Sequence, residues 1–164
     1  MNGRSHHPQS RSKTSVRILA LALAAIVACQ SPKSGVVRPD QVRRALDAGN
    51  YIEAERLAAE WVTTIERVEG AESLATGQAL DLLVEASVKN GTAGTSPVLL
   101  LAERAVRLKE HHLGRDTLDT ASSLHNLGIV RLHRGEFSSA VPPLERSLSI
   151  RTTALGRNDP VVAD

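Results

Sequence analysis

A chain of 164 residues with 41% apolar and 23% charged side chains can bury a core, which excludes wholesale disorder. Its only aromatics are Tyr51, Trp61 and Phe137, so the core must rest on Leu, Val, Ile and Ala, and there is no stacking platform for single-stranded nucleic acid. The net charge of +2 arises at one end: Arg4, Arg11, Lys13 and Arg17 precede residue 29 with no acid among them, and without these four the balance turns acidic, which excludes the concentrated positive face that nucleic-acid binding needs.

Those four basic residues lead into the apolar run 18–28. Eleven residues as a helix span about 16 Å, well short of a hydrocarbon core of about 30 Å. The pattern is that of a secretory signal at 1–28 and not of a spanning helix. The run ends at Cys29, the one cysteine of the chain. Ile26-Val27-Ala28-Cys29 resembles a bacterial lipobox, which implies cleavage before Cys29 and lipidation of that residue. Each buried methylene of an acyl chain contributes about 0.8 kcal/mol, so two or three chains anchor firmly. Residues 29–38 are polar, with Ser, Pro and Gly, and read as a tether. Gln30 stands where an Asp would argue for inner-membrane retention, so the resemblance implies an envelope protein on the outer membrane, facing the periplasm.

From residue 39 the chain reads as all-helical, in three hairpins at about 39–69, 72–112 and 117–155 within one domain at 39–164. In the first, Asp40 is a candidate cap for a short helix, and Gly49-Asn50-Tyr51 leads into a second helix with Ala54, Leu57 and Trp61. In the second, Ala79, Leu82, Leu83, Val84 and Val88 make a helix ending at Asn90-Gly91, and Val98, Ala102, Ala105 and Leu108 mark its partner. In the third, Asp119 or Thr120 can cap a helix with Ala121, Leu124, Leu127 and Val130 on one face, and Gly128 leaves room for a neighbour to press close. Arg134-Gly135 ends it. The following helix, from about Ser138 to Ala154, carries Ala140, Leu144, Leu148 and Ile150, with Pro142 and Pro143 expected near its first turn. Beyond it, residues 158–163 read as the start of a fourth copy, so either a longer gene product or a covered flank is expected.

The copies repeat at an offset of 42: Leu113-Gly114-Arg115-Asp116 matches Leu155-Gly156-Arg157-Asn158, and Glu103-Arg104 matches Glu145-Arg146. With Leu127-Gly128, Gly135, Phe137, Ala140 and Leu144 at their spacing, the chain resembles the tetratricopeptide-repeat (TPR) family in its kinesin-light-chain-like form of about 42 residues. Arg131 departs from the family, standing where an aromatic is usual, and Ser147 replaces a usual Ala. The resemblance implies an all-α fold, a right-handed superhelical stack of antiparallel helix hairpins (an α-solenoid), whose first helices line a concave groove for a protein or peptide partner. The groove positions it implies are Arg43 and Asp47, then Gln78, Asp81, Glu85 and Lys89, then Ser122, His125, Asn126, Ile129 and His133.

Chemistry is sparse. There is no phosphate-binding glycine loop, nucleophile elbow, paired-histidine zinc motif or calcium loop. His111 and His112 are adjacent, so their side chains should diverge, and His125 and His133 lie about 12 Å apart along a helix, too far to share a metal. The sequence therefore points to a non-enzymatic interaction scaffold without cofactor, metal or nucleic acid. Two alternatives stand beside it: the regulatory front of a larger protease- or kinase-linked protein, and an envelope protein that binds a small ligand or metal.

Overall fold

A computed structural model describes residues 37–157, 159 and 160. The leader at 1–28, Cys29, most of the tether and most of the start of a fourth copy lie outside them. Within them the chain forms six α-helices and no strand: α1 Pro39–Asp47, α2 Tyr51–Glu69, α3 Leu74–Asn90, α4 Ser96–Leu113, α5 Leu118–His133 and α6 Phe137–Leu155. Each helix packs on the next in sequence, and the first helices of successive hairpins, α1, α3 and α5, also touch one another. That second set of contacts turns three hairpins into a stack.

The core follows the stack in three clusters. Val42, Ala58, Trp61, Leu80, Leu83 and Leu108 join the first hairpin to the second. Val84, Val98, Leu127 and Val130 join the second to the third, and Ala121, Leu124 and Ile150 close the third. Small residues set the separation. A Cβ on Gly77 would lie 3.2 Å from Leu108 Cβ, and one on Gly128 would fall inside the Leu144 side chain.

Helix starts differ from the sequence expectation in an instructive way. Asp119 and Thr120 do not cap α5; Thr117 does, its hydroxyl accepting from the Thr120 amide at 3.2 Å. The Thr120 hydroxyl instead donates to the Gly114 carbonyl at 2.8 Å. One hairpin earlier, Ser73 caps α3 and the Thr76 hydroxyl donates to the Gly70 carbonyl at 2.9 Å. Gly70 and Gly114 hold φ of 94° and 96° with extended ψ, a conformation essentially confined to glycine, so each linker leaves the preceding helix at the same angle. At α1, Asp40 is not the cap either. Arg38 is, with its amide donating to Gln41 Oε1 at 2.8 Å, while Asp40 pairs with Arg44.

Pro142 and Pro143 fall in the second turn of α6, not the first, because the helix already begins at Phe137. A proline there removes the donor for the carbonyl four residues back. For buried Pro143 that carbonyl belongs to Ser139, and Arg131 Nη1 donates to it at 2.7 Å while Nη2 reaches Glu103 at 3.2 Å. The arginine that stands in place of an aromatic thus supplies the hydrogen bond that the proline removes.

A second device recurs from hairpin to hairpin. Arg104 on α4 pairs with Glu66 on α2 and donates to the Ala71 carbonyl. Arg146 on α6 pairs with Glu110 on α4 and donates to the Arg115 carbonyl. Each arginine reaches back from one hairpin to the last turn and linker of the hairpin before it.

Glu55 provides a third fastening. Its carboxylate accepts from Ser87 at 2.8 Å, Asn90 and Thr92 at 2.7 Å, tying α2 to the end of α3. Partial burial opposes its ionisation, but the Asn90, Thr92 and Ser87 donors together outweigh burial and hold its pKa below the usual glutamate range. The unfolded chain has the ordinary value, about 4.3. A depressed folded pKa contributes stability that is present above the unfolded value and lost as pH falls through the folded one. Replacing Glu55 by Gln is therefore expected to cost about 1 kcal/mol at pH 7, the carboxylate being partly solvent-screened, and to cost little near pH 3. Urea unfolding at both pH values tests this, and an equal loss at both would refute it.

Candidate functional site

Helix periodicity brings one side chain per turn of α3 and α5 to the same side of the stack. The result is a cleft of about 550 Å³. From α1 it takes Arg43 beside Pro39; from α3, Gln78, Asp81 and Glu85; from α5, Ser122, His125 and Asn126. Trp61 and Leu82 form its apolar floor. Asp47, Lys89, Ile129 and His133, the other positions implied by the sequence, do not line it. Asp47 and His133 are the last residues of their helices, and Lys89 is exposed near the end of α3.

Besides Pro39, Trp61 and Leu82, three charged lining residues were not foreseen: Lys109, Asp119 and Arg151. Lys109 is the most informative. Its side chain is only 5% exposed, and its ammonium lies 2.5 Å from Asp81 Oδ2, whose own side chain is 13% exposed. The same ammonium donates to the Asp119 carbonyl at 3.2 Å and lies 3.7 Å from the Asp119 carboxylate. Asp81 also accepts from Ser123 at 2.7 Å and, more weakly, from Asn126 at 3.5 Å. Asp81 is therefore the centre of a network joining α3, α4 and α5 at the cleft floor. Its lone pairs are already engaged by the protein, which limits what it can offer a ligand.

Three other polar groups of the cleft, Gln78, Glu85 and Ser122, are less committed. Among the described residues, Gln78 and Glu85 make no side-chain hydrogen bond or ion pair, although Glu85 is half-buried. Ser122 donates only to the Leu118 carbonyl of its own helix. The half-buried Glu85 carboxylate and the exposed Gln78 amide, each one helical turn from Asp81 on α3, are groups that a bound chain can satisfy.

No three of the described His, Cys, Asp or Glu residues are grouped to hold a metal ion. His111 and His112 do not diverge as expected: their rings meet edge-on with centroids 4.8 Å apart, and His112 Nε2 contacts the Glu72 carbonyl at 2.7 Å. Among the described residues no helix is long and apolar enough to cross a membrane.

Residues 120–161, which span nearly all of α5, the whole of α6 and the linker after it, match the family model for the tetratricopeptide repeat. None of the curated proteins matches the chain. With six antiparallel helices in stacked hairpins, the fold is that of an all-α helical repeat of TPR type, a class of module that generally binds protein partners.

Proposed function

We propose that this chain is a protein–protein interaction scaffold that holds an extended peptide or a helix of a partner in the cleft along α1, α3 and α5. The observation that carries this reading is the row of polar side chains Gln78, Glu85 and Ser122, open to the cleft and left without partners on neighbouring helices. Such groups gain hydrogen bonds when a polypeptide is laid across them. The repeats are of the 42-residue kinesin-light-chain-like form, supported by the recurrence of the Leu-Gly linkers at 113–114 and 155–156. The scaffold hangs from a lipid on Cys29 in the bacterial envelope, a reading supported by the basic leader, the short apolar run and the sequence Ile26-Val27-Ala28-Cys29.

Affinity capture from the native host tests the cleft. Gln78→Ala combined with Glu85→Lys is expected to lower recovery of the copurifying protein at least tenfold, because it removes one uncommitted group and reverses the charge of another. Among the described residues neither position makes a side-chain hydrogen bond or ion pair, so the variant should melt like the wild type. Undiminished capture by a folded variant would place the binding surface elsewhere. Cys29→Ser separately tests the anchor, by releasing the protein from the membrane fraction.

A further inference from the structure

The first helices of the three hairpins, α1, α3 and α5, end alike. The amides of Gly49, Gly91 and Gly135 donate to the carbonyls of Leu46, Val88 and Leu132, and those of Asn50, Thr92 and Glu136 to Ala45, Ser87 and Arg131. These glycines therefore fix a common register. Counting back seven residues sets Val42 level with Val84, and both are fully buried, as equivalent positions should be. Counting back six sets Arg43 on α1 level with Glu85 on α3, and both line the cleft.

Most other charges of the cleft are already engaged. Lys109 is held between Asp81 and Asp119, and His125 and Arg151 are not free either. Among the described residues, Arg43 and Glu85 make no side-chain hydrogen bond or ion pair. They stand level on touching helices, yet they do not pair with each other. Glu85 is half-buried, and a carboxylate in that position without a counter-charge gains from a ligand cation. The exposed guanidinium of Arg43 offers the complementary place for a ligand anion.

The spacing of the two helices selects the ligand's conformation. Packed helices lie about 8–10 Å apart. A ligand that answers both Arg43 and Glu85 must present opposite charges about that far apart on one face. A β-strand does not, because residues two apart share a face at about 6.6 Å and residues four apart at about 13 Å. A polyproline II helix does, because with three residues per turn and a rise of about 3.1 Å, residues three apart share a face at about 9.3 Å. An α-helix meets the spacing at seven residues. Two turns of a helix about 10 Å across nevertheless fill roughly 800 Å³, and the cleft holds about 550 Å³.

Building on the reading of the cleft as a partner site, we infer that it takes a segment in polyproline II conformation that carries an acidic and a basic side chain three residues apart. The acid meets Arg43 and the base meets Glu85.

Labelled, capped, proline-rich octapeptides titrated against the full chain test this by fluorescence anisotropy at low salt. One probe carries Glu and Lys three residues apart, made in both orders because the direction of the bound chain is open. The controls carry two Glu, two Lys, or the mixed pair two residues apart. The mixed probe, in one of its orders, should bind about fivefold tighter than each control. Glu85→Lys should make the two-Glu probe the best ligand, and Arg43→Glu should favour the two-Lys probe. Neither side chain has a partner among the described residues, so both variants should keep the helical circular dichroism of the wild type. Equal binding of all probes, no saturable binding, or a ranking that neither folded variant changes overturns the inference. So does tighter binding of a helical peptide with its charges seven residues apart. Capture from the native host separates this from the reading beneath it. If Gln78→Ala with Glu85→Lys lowers capture while the probes are not distinguished, the cleft remains a partner site and only the charge pattern falls.

Discussion

Replacing Asp81 by Ala is expected to destabilise the domain by about 3 kcal/mol, because it strands the buried Lys109 ammonium without its carboxylate. The magnitude follows from the burial: at 5% exposure Lys109 cannot recover its hydration, and the Asp119 carboxylate at 3.7 Å is a poor substitute for Asp81 at 2.5 Å. At roughly 4 °C per kcal/mol for a domain of this size, the melting temperature should fall by about 10 °C. Asp81→Asn keeps acceptors for Ser123 and Asn126 but loses the charge, so it should fall between the wild type and the alanine variant. Replacing both partners, Asp81→Leu with Lys109→Met, should recover most of the loss, since no charge is then left buried. Thermal melts of the four proteins decide the matter. A loss under 0.5 kcal/mol for Asp81→Ala would show that the pair is solvated and does not hold the cleft floor.

Gly128→Ala should cost about 1–2 kcal/mol despite alanine's better helix propensity. A methyl there would overlap the Leu144 Cγ and stand 2.5 Å from Cδ2, and relieving it means displacing α6 from α5 or forcing Leu144 off its rotamer, typically 1–3 kcal/mol. The propensity gain of about 1 kcal/mol offsets part of this. Gly77→Ala is the internal control. Its methyl would meet Leu108 Cβ at 3.2 Å, a milder crowding that the propensity gain should nearly cancel. Trimming the obstacle in Gly128→Ala/Leu144→Ala should remove the steric part, leaving only the loss of leucine packing. Equal stabilities for the Gly77 and Gly128 variants would mean that contact at Gly128 is not what sets the α5–α6 distance.

The helical-repeat fold was legible because its signals are local and recur: apolar residues every three or four positions, glycines at the linkers, and a period that carried Glu103-Arg104 onto Glu145-Arg146. The finer failures share a cause. Thr117 and Asp119 are both competent caps, and the choice is made by the bond from Thr120 to the Gly114 carbonyl, which the sequence does not display. Leu148 repeats with the buried positions, yet periodicity marks a face that could be covered without showing whether anything covers it. At the cleft, one side chain per turn was enough to gather Gln78, Glu85, Ser122 and Asn126 in one place. Lys109 was overlooked because lysine on a helix ordinarily reads as a solvated residue, and only the fold brings Asp81 and Asp119 to it. That also changes the meaning of Asp81, from a group open to a partner to one that braces three helices.

The pattern of helix contacts has a kinetic meaning. Among the described residues every packed pair of helices is adjacent in sequence or separated by a single helix, so no helix pair waits for distant segments to find each other. Ordering can begin at any hairpin and spread to its neighbours, each step closing only a short loop. Each arginine that reaches back to the hairpin before it then acts as a latch set after its neighbour is formed.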